Sequence, residues 1–428
     1  MPGWSPVRTA RRRAAVAVGL LLLLLATVAG APPAPAAAGG PWTTAWASSL
    51  VRPTAPQPWS WPNWAWGGFA DQSLRQVVRV GAEGSELRIG VSNRHGGQPL
   101  RLTRASVGRA GDGASVLPGT LGGLRFAGRP DAVVPAGAER WSDALRLPVR
   151  PLERIAVTLH FAGATGPVAL HEDGLATAYR APGDRTREAA GDAFAGATSE
   201  SRYLLAGIEV RGARAGGTVV AFGDSLTDGW GTTPDTDRRY PDRLAERLRA
   251  DGRRLAVANA GLSGNRLLTD SPCYGERGLE RFRREVLERP GVRAVVVLIG
   301  INDIGGGGLD DWGCGTHPVV TARQVIDGQR ALVEAARRRG LTVIGATLTP
   351  FRGYAPYHSV EKERVREAVN RWIRTSGSYD AVADLDRTLA DPRTGHRDAL
   401  AAVYDSGDGL HPNDAGADAM AREVADLL

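Results

Sequence analysis

The chain has 428 residues, of which 43% are hydrophobic and 23% are charged, so it can bury ordinary globular cores. Its length exceeds that of one average domain, and we expect two. With 55 glycines and 27 prolines but no low-complexity tract beyond the N-terminus, the composition excludes a collagen-like, coiled-coil or wholly disordered protein.

The first 38 residues have the layout of a secretory signal peptide. A basic part contains Arg8, Arg11, Arg12 and Arg13, an uncharged apolar run follows, and small residues end the segment near Ala38. This order is typical of export signals, and we expect cleavage near Ala38. A retained membrane anchor is the alternative, but the apolar run is short for a full span. The consecutive arginines leave Sec and twin-arginine export both open.

The net charge of +7 does not indicate a nucleic-acid-binding protein. Four of the positive charges belong to the predicted signal, and the remaining chain has no basic block comparable to a nucleic-acid-binding arm. We therefore expect no nucleic-acid partner and, after cleavage, no stable membrane span. No feature indicates an oligomer, so we expect a monomer.

Residues 41–210 are predicted to form an all-β domain. Short apolar runs at residues 74–80, 86–91, 100–107 and 152–161 are separated by glycine and proline. Basic and aliphatic residues alternate within them, which is the period-2 pattern of half-buried antiparallel strands. Several such strands without long helical periods predict a β-sandwich or jelly roll.

An aromatic segment at residues 59–66 contains four tryptophans. Exposed tryptophans can stack on a ligand such as a sugar ring, whereas buried ones fill a core or an interface. Burial is the favoured interpretation, and sugar binding is the alternative.

A glycine-rich linker at residues 211–217 precedes a second domain at residues 218–428. Its apolar strands, at 218–222, 255–259, 294–299, 341–348 and 381–385, alternate with helices at 241–250, 278–288, 321–339, 359–375 and 413–428. Continuous apolar strands with intervening helices predict a doubly wound parallel sheet. Ligands in such sheets bind beyond the C-terminal ends of the strands.

Polar residues follow the strands of this predicted sheet. Ser225 follows the first strand, Gly264 lies in the loop after the second, and Asn302 follows the third. Asp408 and His411 form an Asp-x-x-His segment before the last helix. His411 can activate the serine hydroxyl, while Asp408 would hold the imidazole tautomer. The backbone N–H groups of Ser225 and Gly264 and the amide of Asn302 are candidate donors to an oxyanion.

The segments that contain these residues resemble those of the GDSL, or SGNH, hydrolase family of serine esterases, and the resemblance covers residues 218–428. It implies a flavodoxin-like three-layer α/β/α fold with Ser225, Asp408 and His411 as catalytic residues. It also implies an oxyanion hole formed by Ser225, Gly264 and Asn302. The sequence lacks the second glycine of the Gly-x-Ser-x-Gly elbow of ordinary lipases. With its β domain, the chain is similar to secreted actinobacterial GDSL-like lipase/acylhydrolases, and this chemistry requires no metal or organic cofactor.

The chain has two cysteines, Cys273 and Cys314. An even pair in an exported chain predicts a disulfide. His317 lies three residues after Cys314, which raises a metal site as the alternative, but these ligands are too few for structural zinc.

Other polar residues lie close to the candidate site in the sequence. We interpret Asp224 and Asp303 as holding loops through Asx hydrogen bonds. Asp228 and Arg266 are candidates either for substrate contact or for a structural pair. His171, in the β domain, would approach the mouth of the site if the two domains pack closely.

The sequence therefore predicts a secreted carboxylic ester hydrolase that acts through an acyl-enzyme on Ser225, with an acetylated polysaccharide as the favoured extracellular substrate. The alternatives are a lipase or phospholipase acting on long-chain esters, an acyltransferase, and a glycan-binding protein with a vestigial catalytic domain. Acyl-chain length depends on loops such as residues 304–317, and the sequence does not determine it.

Overall fold

The computed structural model describes residues 40–55, 62–212, 216–310, 313–393 and 395–428. The predicted signal peptide lies outside these residues, as do Trp59 and Trp61 of the aromatic segment. Gly40–Leu428 forms one compact unit. The division into two domains at residues 211–217 therefore stays a prediction.

The first half of the described chain is built from antiparallel strands. In chain order they are β1 (Thr43–Ala47), β2 (Gln72–Arg79), β3 (Gly84–Ser92), β4 (Leu100–Leu102), β5 (Arg104–Arg109), β6 (Gly122–Gly123), β7 (Ala132–Val134), β8 (Glu139–Trp141), β9 (Leu145–Val149), β10 (Arg154–Phe161), β11 (Leu170–His171), β12 (Ala178–Pro182), β13 (Thr198–Ser199), β14 (Arg202–Tyr203) and β15 (Leu205–Arg211). A short 3-10 turn occupies Asp192–Phe194.

Two antiparallel sheets contain most of these strands. One has the order β1-β15-β3-β8, with β9 also paired to β3, and the other has the order β13-β12-β2-β10-β5-β6. Leu74 of β2, Ile89 of β3 and Leu159 of β10 belong to one buried cluster that both sheets share. The predicted antiparallel all-β region is thus confirmed. The predicted strand at 100–107 is two strands, because the chain changes partners at Thr103, from β7 to β10.

The second half contains a five-stranded parallel sheet. Its strands are β16 (Thr218–Gly223), β17 (Ala256–Ala260), β18 (Val292–Leu298), β19 (Thr342–Ala346) and β20 (Ala381–Ala383). The order is β17-β16-β18-β19-β20, and every neighbouring pair is parallel, as predicted. Because the chain order reverses at β16, a crevice is expected beyond its C-terminal end.

Helices surround this sheet in two groups. They are α1 (Ser225–Asp228), α2 (Tyr240–Ala250), α3 (Gly278–Phe282), α4 (Ile301–Gly305), α5 (Ala322–Arg338), α6 (Val360–Thr375), α7 (Leu385–Leu389) and α8 (Asp414–Ala425). Helices α2 and α7 both pack on α8, whereas α3 and α6 both pack on α5. None of the helices in the described ranges is long and apolar enough to cross a membrane.

Local sequence signals explain where the longer helices begin. Thr321 and Gln324 form a reciprocal capping box before α5, and Ser359 and Asn413 cap α6 and α8. The helix predicted at 278–288 is confirmed, but its second half, Arg283–Leu287, is π-helical. Helices α1, α4 and α7 were not predicted, because elements of four or five residues are too short to show a hydrophobic period.

Candidate active site

Ser225, His411 and Asp408 form one hydrogen-bonded chain at the C-terminal end of β16. The Oγ atom of Ser225 lies 2.9 Å from Nε2 of His411, and Nδ1 of His411 lies 2.6 Å from Oδ2 of Asp408. The other Asp408 oxygen accepts hydrogen bonds from the backbone N–H groups of Leu410 and His411, at 2.9 and 2.8 Å. Burial opposes ionisation of Asp408, but the hydrogen bonds and charge of His411 outweigh it and lower the pKa of Asp408 to about 2.

The turn that presents Ser225 is held by Asp224. The Asp224 carboxylate caps α1 by accepting a hydrogen bond from the N–H of Leu226 at 3.2 Å. Burial raises the pKa of Asp224 to about 7. Helix α1 ends after four residues at Gly229, whose φ of 111° is unfavourable for other residues. Asp224 therefore has the loop-holding contact that the sequence suggests.

The three candidate oxyanion donors line the same cleft. Gly264 has a φ of +69°, and a Cβ atom there would lie 2.4 Å from ring atoms of Tyr274, so only glycine fits. Within the described chain, the backbone hydrogen bonds outside helices and strands include none donated by the N–H groups of Ser225 and Gly264.

The amide of Asn302 has a defined orientation. It donates through Nδ2 to the carbonyl oxygen of Asn265 at 3.0 Å and accepts from the Tyr357 hydroxyl at 2.9 Å. Because a backbone carbonyl only accepts, Nδ2 must be the atom that faces Asn265. One Nδ2 hydrogen therefore remains for a ligand in the cleft.

Asp303 joins the loop after β17 to helix α4. Its two carboxylate oxygens accept hydrogen bonds from the N–H groups of Leu267 and Leu268, at 2.8 and 2.9 Å. Burial raises the pKa of Asp303 to about 6. These bonds connect the segment after Gly264 to the turn of Asn302, and so they help to fix the distance between the two candidate donors.

Ser225 and His411 lie in the wall of a cleft of about 560 Å³. Aromatic side chains form much of its wall, namely Trp230, Tyr274, Tyr354 and Tyr357. Glu172, Asp173 and Asp310 contribute carboxyl groups, and none of the described lining residues is Lys or Arg. Burial, followed by the charge of Asp228, raises the pKa of Asp173 to about 7. Sequence reasoning missed Glu172 and Asp173, because they lie in the antiparallel region and match no catalytic motif.

Cys273 and Cys314 form a disulfide that also lines the cleft, with their Cα atoms 5.8 Å apart. The predicted disulfide is thus present, and it removes Cys314 as a metal ligand. Among the described residues, no group of three or more His, Cys, Asp and Glu side chains is arranged to hold a metal ion.

The remaining candidate residues lie outside the wall of the cleft. Asp228 pairs with His171, whose Nε2 lies 2.9 Å from Oδ1 of Asp228, and both side chains are buried. Arg266 is buried beside Gly306 rather than paired with Asp228. Trp64, from the aromatic segment, is buried in the antiparallel region, where it stacks on Tyr203 with 5.5 Å between ring centroids.

Residues 221–419 match the family model of the GDSL-like Lipase/Acylhydrolase family. The chain therefore carries a GDSL-like lipase/acylhydrolase domain, the domain of a hydrolase that acts on esters, and the resemblance seen in the sequence is confirmed. No curated protein matches the chain.

Several solved structures are similar to about half of the chain. A lipase/acylhydrolase from Enterococcus faecalis is 20% identical over 49% of this chain and 94% of that chain, with a TM-score of 0.37. A GDSL-like lipase from Bacteroides thetaiotaomicron is 19% identical over 49% and 86%, with a TM-score of 0.35. An alpha/beta hydrolase enzyme from the metagenome of Lake Arreo, Spain, is 23% identical over 50% and 94%, with a TM-score of 0.37.

Proposed function

We propose that this protein is a serine esterase that hydrolyses carboxylic esters through an acyl-enzyme on Ser225. The observation that carries the proposal is the hydrogen-bonded chain from Ser225 through His411 to Asp408, which opens into the cleft. Because Nδ1 of His411 faces a carboxylate, it keeps its hydrogen, and Nε2 is left to accept the serine proton.

In the first half-reaction, His411 takes the proton from Oγ of Ser225 while Oγ attacks the ester carbonyl carbon. The carbonyl oxygen becomes an oxyanion, which the N–H groups of Ser225 and Gly264 and the Nδ2 of Asn302 stabilise. The intermediate then collapses, the C–O bond to the alcohol breaks, and His411 gives its proton to the departing alcohol. A water molecule repeats the sequence on the acyl-enzyme and releases the carboxylic acid.

The substrate that the cleft favours is an acyl ester of a neutral, hydroxyl-rich molecule such as an acetylated polysaccharide. Carboxyl groups of Glu172, Asp173 and Asp310 can accept hydrogen bonds from sugar hydroxyls, and aromatic rings such as Trp230 offer a face for stacking. A phospholipid phosphate would meet these carboxylates without a Lys or Arg among the described lining residues. This charge pattern supports polysaccharide deacetylation over phospholipid hydrolysis.

The proposed place of action is outside the cytoplasm. The basic, apolar and small-residue layout of residues 1–38 supports export, and the Cys273–Cys314 disulfide supports an oxidising compartment. We propose that the exported protein acts as a monomer.

Hydrolysis of p-nitrophenyl esters from acetate to palmitate tests the proposal. Ser225→Ala should abolish activity and labelling by a fluorophosphonate, while Ser85→Ala, at an exposed serine of β3, should change neither. Activity confined to short chains, followed by acetate release from acetylated xylan, would support the deacetylase. A long-chain optimum would instead favour the lipase alternative. Glycan retention without labelling would favour the vestigial binding protein, and ester formation with an added alcohol would favour the acyltransferase.

A further inference from the structure

A buried histidine–aspartate pair, separate from His411 and Asp408, lies next to the turn that carries Ser225. Asp228 is the last residue of α1, the helix that Ser225 begins. Its Oδ1 lies 2.9 Å from Nε2 of His171, which ends β11 in the antiparallel region. The catalytic chain described above uses neither residue.

His171 has a hydrogen-bond acceptor at each ring nitrogen. Its Nδ1 lies 2.7 Å from the carbonyl oxygen of Ser49, which only accepts, so Nδ1 carries a hydrogen. Its Nε2 faces the Asp228 carboxylate, an acceptor that favours a second hydrogen on the ring and so the imidazolium form. Burial lowers the pKa of His171, but the charge and hydrogen bond of Asp228, the Ser49 carbonyl and the charge of Asp173 outweigh it and raise the pKa.

Asp228 also holds the loop that carries Gly264. Its Oδ2 accepts hydrogen bonds from the N–H and the Oγ of Ser263, at 3.1 and 3.2 Å. The same loop packs tightly on α1, because a Cβ on Gly261 would lie 2.1 Å from the Asp228 nitrogen. One carboxylate therefore joins the turn of Ser225 to the residue before Gly264.

The polar network continues from the pair to the ends of two strands. Ser49 donates through Oγ to Glu285 at 2.7 Å, and Arg281 donates to that same Oγ at 3.3 Å. Arg281 also donates to the carbonyl oxygens of Gly223 and Ala260, the last residues of β16 and β17. The network thus contacts the strand before each of the two donor-bearing loops.

Several other charged groups face the pair. Asp173 lines the cleft, and Arg202 and Arg239 line a second, small cavity together with His171 and Asp228. The carboxylate of Asp228 acts on Arg239 as well as on His171. His171 and Asp228 therefore join the antiparallel region to the turn after β16, with Asp173, Arg202 and Arg239 around them.

We propose that His171 and Asp228 are positioning residues that set the spacing between the oxyanion donors of Ser225 and Gly264. The inference rests on the proposed ester hydrolysis at Ser225. It gives the antiparallel region a role in the chemistry, because His171 and the Ser49 carbonyl that orients it both come from that region. Neither positioning residue touches the substrate, so their loss should lower kcat and leave KM nearly unchanged.

Two substitutions test the proposal. Asp228→Asn removes the charge but keeps the shape, and His171→Gln keeps a hydrogen-bond donor but removes the positive charge. We expect each to lower kcat by roughly 10- to 100-fold with KM within about 2-fold, because a displaced donor acts only in the transition state. Ser263→Ala removes one of the two bonds to Oδ2 and should have a smaller effect. Asp327→Asn and His396→Gln, at exposed positions, are the matched controls and should leave kcat unchanged.

Two further readouts separate positioning from folding. The rate of fluorophosphonate labelling of Ser225 should fall with kcat in variants that melt cooperatively. Nitrogen-15 NMR should show His171 as an imidazolium at pH 6, below its ordinary pKa, in the wild type but not in Asp228→Asn. Folded variants that keep the wild-type kcat would overturn the proposal. If neither variant folds, a neutral His171 in the wild type at pH 6 would overturn it. A wild type without Ser225-dependent activity would instead refute the proposed function.

Discussion

The hydroxyl of Tyr357 donates a hydrogen bond to Oδ1 of Asn302 at 2.9 Å, and Nδ2 of Asn302 donates to the carbonyl oxygen of Asn265. These contacts hold the amide from both ends, so the free Nδ2 hydrogen needs no reorganisation when an oxyanion forms. The orientation of this donor thus depends on a tyrosine that lies 55 residues away in the sequence.

Asn302→Ala should lower kcat by roughly 10²- to 10³-fold, because it removes one oxyanion donor. Tyr357→Phe should lower kcat by a smaller factor, since it removes only the hydrogen bond that orients the amide. Steady-state kinetics on a short p-nitrophenyl ester measure both. An unchanged kcat in Asn302→Ala would remove Asn302 from the proposed oxyanion hole.

Asp408→Asn should lower kcat by about 10⁴-fold, because the histidine tautomer is no longer held by a carboxylate. The pKa of Asp408 is lowered to about 2, so this carboxylate stays ionised over the range in which esterases are assayed. Rates of the purified variant at pH 7, with Asp327→Asn as the control, test the role. Near wild-type rates would show that His411 does not depend on Asp408.

Gly264→Ala should destabilise the protein and abolish most of its activity. The residue has a positive φ, and an added Cβ would collide with the Tyr274 ring. Gly252→Ala is the matched control, since Gly252 has a φ of +74° but no atom within 4 Å of an added Cβ. The control variant should lose only about 1–2 kcal/mol of stability, which is the cost of a left-handed backbone at a residue with a Cβ, and it should keep its kcat. Equal losses of kcat in the two variants would contradict the role given to the Tyr274 contact.

Replacing both cysteines by serine should lower the free energy of unfolding by about 2–5 kcal/mol, because the disulfide closes a loop across 41 positions. It should also raise KM, since Cys273 and Cys314 line the cleft. Denaturant unfolding and ester kinetics measure the two effects, and reduced wild type should behave like the variant. An unchanged KM would show that the disulfide stabilises the fold without shaping the cleft.

The stability that His171 contributes should depend on pH. Since the folded-state pKa of His171 is raised, its contribution is complete below the ordinary value of about 6.5 and is lost as the pH rises through the folded value. The difference in Tm between wild type and His171→Gln should therefore shrink above pH 6.5. Parallel Tm profiles would contradict the ion pair with Asp228.

Burial raises the pKa values of Asp173 and Asp224 to about 7. The stability that these two carboxyl groups contribute is also lost as the pH rises, but at lower pH, between about 4 and 7. Comparing the two proteins at each pH separates the His171 contribution from that of Asp224, whereas the charge of Asp173 acts on His171 and belongs to the difference.

The sequence by itself determined the parallel sheet and the members of the candidate site. Strands buried on both faces leave continuous apolar runs, and residues after such strands meet at one edge of the sheet, which brings Ser225, Gly264 and Asn302 together. The Asp408–His411 contact is also local, because the two residues are three positions apart. The cysteine pair was predictable because the chain has no other cysteine.

Only the tertiary structure decided which residues of the antiparallel region reach the site. Glu172 and Asp173 line the cleft and His171 contacts Asp228, although the sequence around them matches no catalytic motif. The contact in that pair joins a strand to a helix 57 positions away, and packing of distant segments leaves no periodic pattern in either of them. The members of the candidate site could therefore be predicted from local motifs, whereas the residues that line and support it are brought there by the tertiary fold.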